Sequence, residues 1–163
     1  MKTHPRTSEQ RHKSSSVCIN AAIRRAARRM GQIYDDAFEA CGLRATQYSL
    51  LVQIDRVGTP TMRVLAEHLV MDLSALGHTL KPLIRDGLVE LVVDELDRRS
   101  RRVHLTKDGR IKLEEARAIW KKVQLSFDDA FGKDGAAQLR STLDLIASPD
   151  FSERMTTVFH SIS

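Results

Sequence analysis

Near the middle of the chain, Asp94-Glu95-Leu96-Asp97-Arg98-Arg99-Ser100-Arg101-Arg102 places four arginines within five positions. A guanidinium keeps its charge at neutral pH and presents a planar fork of donors. Such a cluster suits phosphates or the electronegative minor groove of a duplex. A charge run of this kind also serves as a plain solvated turn, so its neighbours decide between the two readings. Some twenty residues upstream, Ser74, His78, Thr79 and Lys81 offer hydroxyl, imidazole and ammonium groups that match base edges or phosphates. Beside a helix carrying those four side chains, the arginine run reads as a contact to duplex DNA.

Other chemistry is sparse. The six histidines, His4, His12, His68, His78, His104 and His160, show no metal-ligand spacing, so neither a metal nor a cofactor is expected. There is no Gly-rich phosphate loop, no Gly-x-Ser-x-Gly elbow and no acid–base pair, and the chain does not read as an enzyme. Two cysteines, Cys18 and Cys41, cannot make a disulfide framework. On one straight helix they would lie roughly 34 Å apart, which excludes an intrachain bond but not one between subunits. Arg24, Arg25, Arg28 and Arg29 share one helical face and read as its solvated side, with an anion site as the rival reading.

These side chains need elements to hold them. Apolar or small residues from Ile19 to Cys41 recur at three-and-four spacing, which predicts a long amphipathic helix ended by Gly42. It is longer than a small core can cover, which suggests an oligomer contact. Thr46 is expected to cap a second helix through Val57, and Thr61 to open a third through Leu69. Asp72 or Ser74 should cap a fourth, running to Asp86-Gly87 and kinked by Pro82. Leu88 to Val93 and Arg102 to Leu105 then form a β-hairpin around the charged turn. Thr106 caps a long helix reaching Phe131, a further helix spans Ala136 to Ala147, and a short amphipathic one follows Pro149. The fold class is therefore mainly α with a small β-hairpin wing, a winged helix-turn-helix with long helices forming a dimerisation body. Residues 1–16 read as a disordered basic arm.

The 163 residues carry a net charge of +5, a weak pointer to a polyanionic partner. No apolar run is long enough to span a bilayer and no secretory segment is visible, so a cytoplasmic location without membrane contact is expected.

Asp97-x-Arg99 followed by Leu105-Thr106-x-x-Gly109 resembles the wing signature of the multiple antibiotic resistance regulator (MarR) family. Met71 to Val89 resembles that family's recognition helix and the strand after it, and Thr46-Gln47-Tyr48-Ser49-Leu50-Leu51 its second-helix opening. The resemblance covers residues 17–147. It implies helices 17–42 and 106–147 for dimerisation, a winged helix-turn-helix lobe over 45–105, and 148–163 as a C-terminal extension. It further implies a homodimeric repressor that binds a pseudo-palindromic operator in double-stranded DNA and is released by a small-molecule effector. In that frame Asp97 braces the wing, Arg99 reaches DNA with Arg98 and Arg101 beside it, and His78 stands where many relatives carry arginine. Tyr34, Tyr48 and Trp120 would line the effector pocket. Two alternatives stand beside this. One is redox sensing through Cys18, although Asn20 occupies the position at which thiol-sensing relatives carry their cysteine. The other is a winged helix that docks proteins.

Overall fold

The computed structural model describes residues 18–162, and the expected basic arm lies outside them. Helix α1 spans Ile19–Phe38 and closes in a 3-10 turn, Glu39–Cys41, with Gly42 at φ 71°. Helix α2 spans Ala45–Val57. The expected Thr46 cap is corrected to Arg44. Gln47 Oε1 accepts from the Arg44 amide and Asp35 Oδ1 from the Ala45 amide, both at 2.7 Å, which starts the helix early.

Helix α3, Met62–His68, opens with Thr61 Oγ1 accepting from Val64 N at 3.3 Å. Helix α4, Leu73–Arg85, opens with Asp72 Oδ1 accepting from Ala75 N at 2.7 Å. As expected, it continues through Pro82. The carbonyl deprived of its donor belongs to His78, on an exposed part of the helix that water reaches.

Both helices end in the same six-residue hydrogen-bond pattern. In α4, Gly87 N reaches Ile84 O and Leu88 N reaches Leu83 O; in α3, Val70 N reaches Glu67 O and Met71 N reaches Ala66 O. The pattern needs a left-handed residue, which is Gly87 at φ 70° in one case and Val70 at φ 52° in the other. A β-branched residue there is strained by about 1–3 kcal/mol, and Val70 is 73% exposed, so its side chain contributes little packing. Val70→Gly is therefore expected to raise stability by about 1 kcal/mol net of glycine's entropy, a rise of roughly 2–4 °C in Tm. A thermal melt checks this; a lower Tm would show that the turn is not strained.

Strands β1, Val89–Val93, and β2, Arg101–Leu105, pair antiparallel from Val89 opposite Leu105 to Val93 opposite Arg101. Helix α5 spans Lys107–Phe131 and α6 spans Lys133–Ala147. The latter starts three residues before the expected Ala136, because Gly132 alone makes the break at φ 87°. Helix α7 spans Pro149–Ile162.

The core lies inside the lobe. Phe38, Leu51, Ile54, Leu65, Leu76, Leu80, Leu83 and Val103 are all at 0% exposure, with Leu113 and Ala116 of α5 closing one side. Beyond Ala116, Ala136 is the one buried hydrophobic among the described residues. No described helix is long and apolar enough to cross a membrane.

Candidate nucleic-acid interface

Helix α4 buries Leu76, Leu80 and Leu83 and turns Ser74, His78 and Lys81 outward. Those three positions, four and three apart, form one face. Lys81 Nζ lies 3.5 Å from His78 Nδ1. Thr79 is half-buried and its hydroxyl donates to Ala75 O at 2.9 Å, so its donor is already used within the helix.

In the wing the geometry separates the arginines by role. Asp94 is 4% exposed. Its Oδ1 accepts from Leu96 N at 2.8 Å and Asp97 N at 3.3 Å, and its Oδ2 pairs with Arg102 Nε at 2.8 Å. Arg102 also donates from Nη1 to Thr59 O at 2.8 Å, and Val103 N donates to Pro60 O at 2.8 Å. The root of the wing is thereby tied to the turn between α2 and α3. Arg101 folds back, its Nη1 3.2 Å from both Arg98 O and Ser100 O. The guanidinium groups of Arg98 and Arg99 are exposed and make no side-chain bond among the described residues. Asp97 Oδ1 accepts from Arg99 N at 3.0 Å and Asp97 O from Ser100 N at 2.8 Å, which shapes the turn that carries Arg99. The buried tie through Asp94 and Arg102 was not anticipated. A signal existed in the hairpin register, which sets Asp94 just beyond the Val93–Arg101 pair and near Arg102.

The Asp94 carboxyl is held below the ordinary carboxylate range. The main cause is the Leu96 amide bonding its charged form, opposed by burial and aided by Asp97 N and Arg102. A lowered folded value means that the tie contributes stability fully above the unfolded carboxylate value of about 4 and loses it as pH falls through Asp94's own value. Hydrogen-exchange protection at Leu96 and Asp97 is expected to fall before that at Val103 on acidification below about pH 4. Equal retention at all three through the acid range would show that charge does not hold the turn.

The three aromatic residues expected to share one pocket are divided between two. Tyr48, Gln53 and Arg56 of α2 face Arg117, Trp120 and Lys121 of α5 across a groove of about 600 Å³. Tyr34 instead donates to Gln124 Oε1 at 2.7 Å and lines a separate apolar recess among α1, α5 and α6. Phe38 stands between the two tyrosines, 6.0 Å from the Tyr34 ring and 4.6 Å from that of Tyr48. Burial raises the pKa of both phenols. In the groove Arg117 bonds Asp55 Oδ2 at 2.5 Å, which ties α5 to α2, and also bonds Glu114 on its own helix. Arg56 and Lys121 make no ion pair among the described residues, and Gln53 Oε1 is buried without a hydrogen-bond partner.

Cys18 is the exposed N-cap of α1, whereas Cys41 is buried with its Sγ bonding Phe38 O at 3.2 Å. Arg24, Arg25, Arg28 and Arg29 are all exposed. Among the described residues no group of three His, Cys, Asp or Glu side chains is placed to hold a metal ion.

A family model described as the MarR family matches residues 42–100. The transcriptional regulator MosR of M. tuberculosis, solved in complex with DNA, is 32% identical over 84% of this chain and 98% of its own, with a TM-score of 0.75. CouR from Rhodococcus jostii RHA1, solved bound to p-coumaroyl-CoA, is 24% identical over 82% of this chain and 94% of its own, with a TM-score of 0.70. A cysteine-to-serine mutant of E. coli MarR, complexed with operator DNA, is 21% identical over 80% and 94%, with a TM-score of 0.72. The last two likenesses are of fold alone. No curated protein matches the sequence.

Proposed function

The chain belongs to the MarR family of transcriptional regulators, and on that premise we propose that it is a homodimeric repressor that binds duplex DNA and is released by a small molecule. One observation carries the DNA-binding reading. The wing tip presents Arg98 and Arg99 without side-chain partners, on a turn fixed by Asp94 and Arg102. Ser74, His78 and Lys81 supply the groove-reading face of α4, and the exposed arginines suit the minor groove. MosR, the relative at 32% identity, was solved on DNA, which supports the same use of the fold here.

The release half of the proposal rests on the groove between α2 and α5. It is walled by Tyr48 and Trp120 and carries Arg56, Arg117 and Lys121. Two aromatic faces and three cations fit a planar aromatic anion. Such a ligand competes with Asp55 for Arg117 and so acts on the tie between the DNA lobe and α5. This is the reading favoured over Cys18 oxidation, because the groove is present and its chemistry is specific.

The test is a fluorescence-anisotropy titration against the duplex upstream of its own gene, at two salt concentrations, with an unrelated duplex as control. Tight binding to the upstream duplex, weakening steeply with salt, is expected. Equal and weak binding to both would remove autoregulation and move the function toward a distant operator or a protein-docking role. Trp120 is the chain's only tryptophan, so benzoate quenching of its emission reports the groove directly, and release of DNA by benzoate tests effector action.

A further inference from the structure

The tip of the wing is closed by Asp94 N donating to Ser100 O at 3.2 Å, and Glu95 to Arg99 lie beyond the paired strands. All five of these residues are exposed, and Leu96 is the only apolar one. At 93% exposure it stands clear of Leu91 and Val93, which stay half-exposed on the strand behind it. A single exposed leucine is ordinary on a protein surface. This one differs in how it is held. Its amide donates to Asp94 Oδ1 at 2.8 Å, as does that of Asp97 at 3.3 Å, and the Arg99 amide donates to Asp97 Oδ1 at 3.0 Å. Three amides of the tip are thus fixed by side chains, and the Asp94 carboxylate that holds two of them is buried. The leucine is presented in advance, so setting it against a partner costs little further ordering. Its neighbours Arg98 and Arg99 make no side-chain bond among the described residues. Two such cations draw the tip to the minor groove, where negative potential is concentrated. Leucine is among the apolar side chains that lodge between base steps in that groove and unstack them.

We propose that Leu96 is an apolar wedge that enters the minor groove beside the wing arginines and lodges at a deformable base step. Pyrimidine–purine steps unstack most easily, so Leu96 gives the wing a preference for TA or CA without a hydrogen bond to any base. The inference rests on the DNA-binding reading and adds a residue that reads duplex shape. The test uses the full chain and a duplex that it enriches from a random-sequence library, with 2-aminopurine placed in turn at each step of the flanks. Emission is expected to rise at one step per half-site when the full chain binds. Leu96→Ala should abolish that rise and weaken binding by about tenfold per wing, with the salt slope unchanged because no charge is lost. Leu96→Met keeps an apolar reach and should restore both. Changing the responsive step to AA should weaken the full chain but leave Leu96→Ala as it was. An Arg98→Ala, Arg99→Ala double variant reports on the underlying reading. If it loses affinity while Leu96→Ala binds and unstacks the duplex as the full chain does, the wing touches DNA and the wedge is overturned. If the double variant binds as the full chain does, or no duplex is enriched at all, the wing reading falls and the wedge with it.

Discussion

Replacing Gly109 by alanine is expected to lower stability by about 3 kcal/mol, with a fall in Tm of roughly 6–12 °C. A Cβ at that position would sit 2.0 Å from Leu88 O and 2.9 Å from Leu88 C, both backbone atoms that no rotamer change can move. The close approach is built by Thr106. Its amide donates to Leu88 O at 3.1 Å, its hydroxyl donates to Gly87 O at 2.7 Å, and its Oγ1 accepts from Gly109 N at 3.0 Å. The first turn of α5 is thus clamped on the turn between α4 and β1, and an extra methyl group has to pry the two apart. Gly77→Ala makes the natural control. It lies in α4, where an added Cβ would meet nothing within 4 Å, so the same change there should stabilise by about 0.5–1 kcal/mol through helix propensity. Urea unfolding of both variants checks the opposite signs. Equal midpoints would mean that the α5 turn shifts without penalty.

That pair of glycines also shows where the sequence is informative. Thr106 and Gly109 are visible as a motif because a cap and a close approach each demand one residue type. The three-and-four spacing of α1, the alternation of the hairpin and the cap Thr61 were legible for the same reason, each expressing a local rule, while between Asp72 and Ser74 the structure chose Asp72. What was not legible depends on distance in space. Nothing in a run of charges distinguishes the buried Asp94 from Asp97, because the difference lies in which carboxylate faces Arg102 and the backbone of the next turn. Tyr34 and Tyr48 look equivalent as aromatic pocket residues, yet Phe38 packs against both rings and the two tyrosines line different cavities. The start of α2 was misplaced at Thr46 because Asp35, a residue of the previous helix, caps it from outside. DNA contacts from Ser74, His78, Lys81, Arg98 and Arg99 are proposals that follow from exposure and direction.

The wing provides the sharpest separation between contact and support. An Arg98→Ala, Arg99→Ala double variant is expected to weaken binding to every duplex by roughly 100-fold at physiological salt, and to flatten the slope of log affinity against log salt. If both wings of a dimer engage, four arginines are lost. At about 0.9 per phosphate neutralised, the slope then falls by up to roughly 3.6. Both positions are exposed, so stability should change by no more than about 0.5 kcal/mol. Arg102→Ala removes the same formal charge from a different place. Its guanidinium is held by Asp94 and Thr59, so it has no fork free for a phosphate, and its loss frees the turn. Affinity should therefore drop while the salt slope stays near that of the unmodified protein, and Asp94→Asn should reproduce that pattern. Measuring the slopes for all three variants on one duplex makes the assignment. If Arg102→Ala flattens the slope as much as the double variant, Arg102 is a phosphate contact. If the double variant changes neither affinity nor slope, the wing does not touch DNA, and recognition must rest on α4 alone.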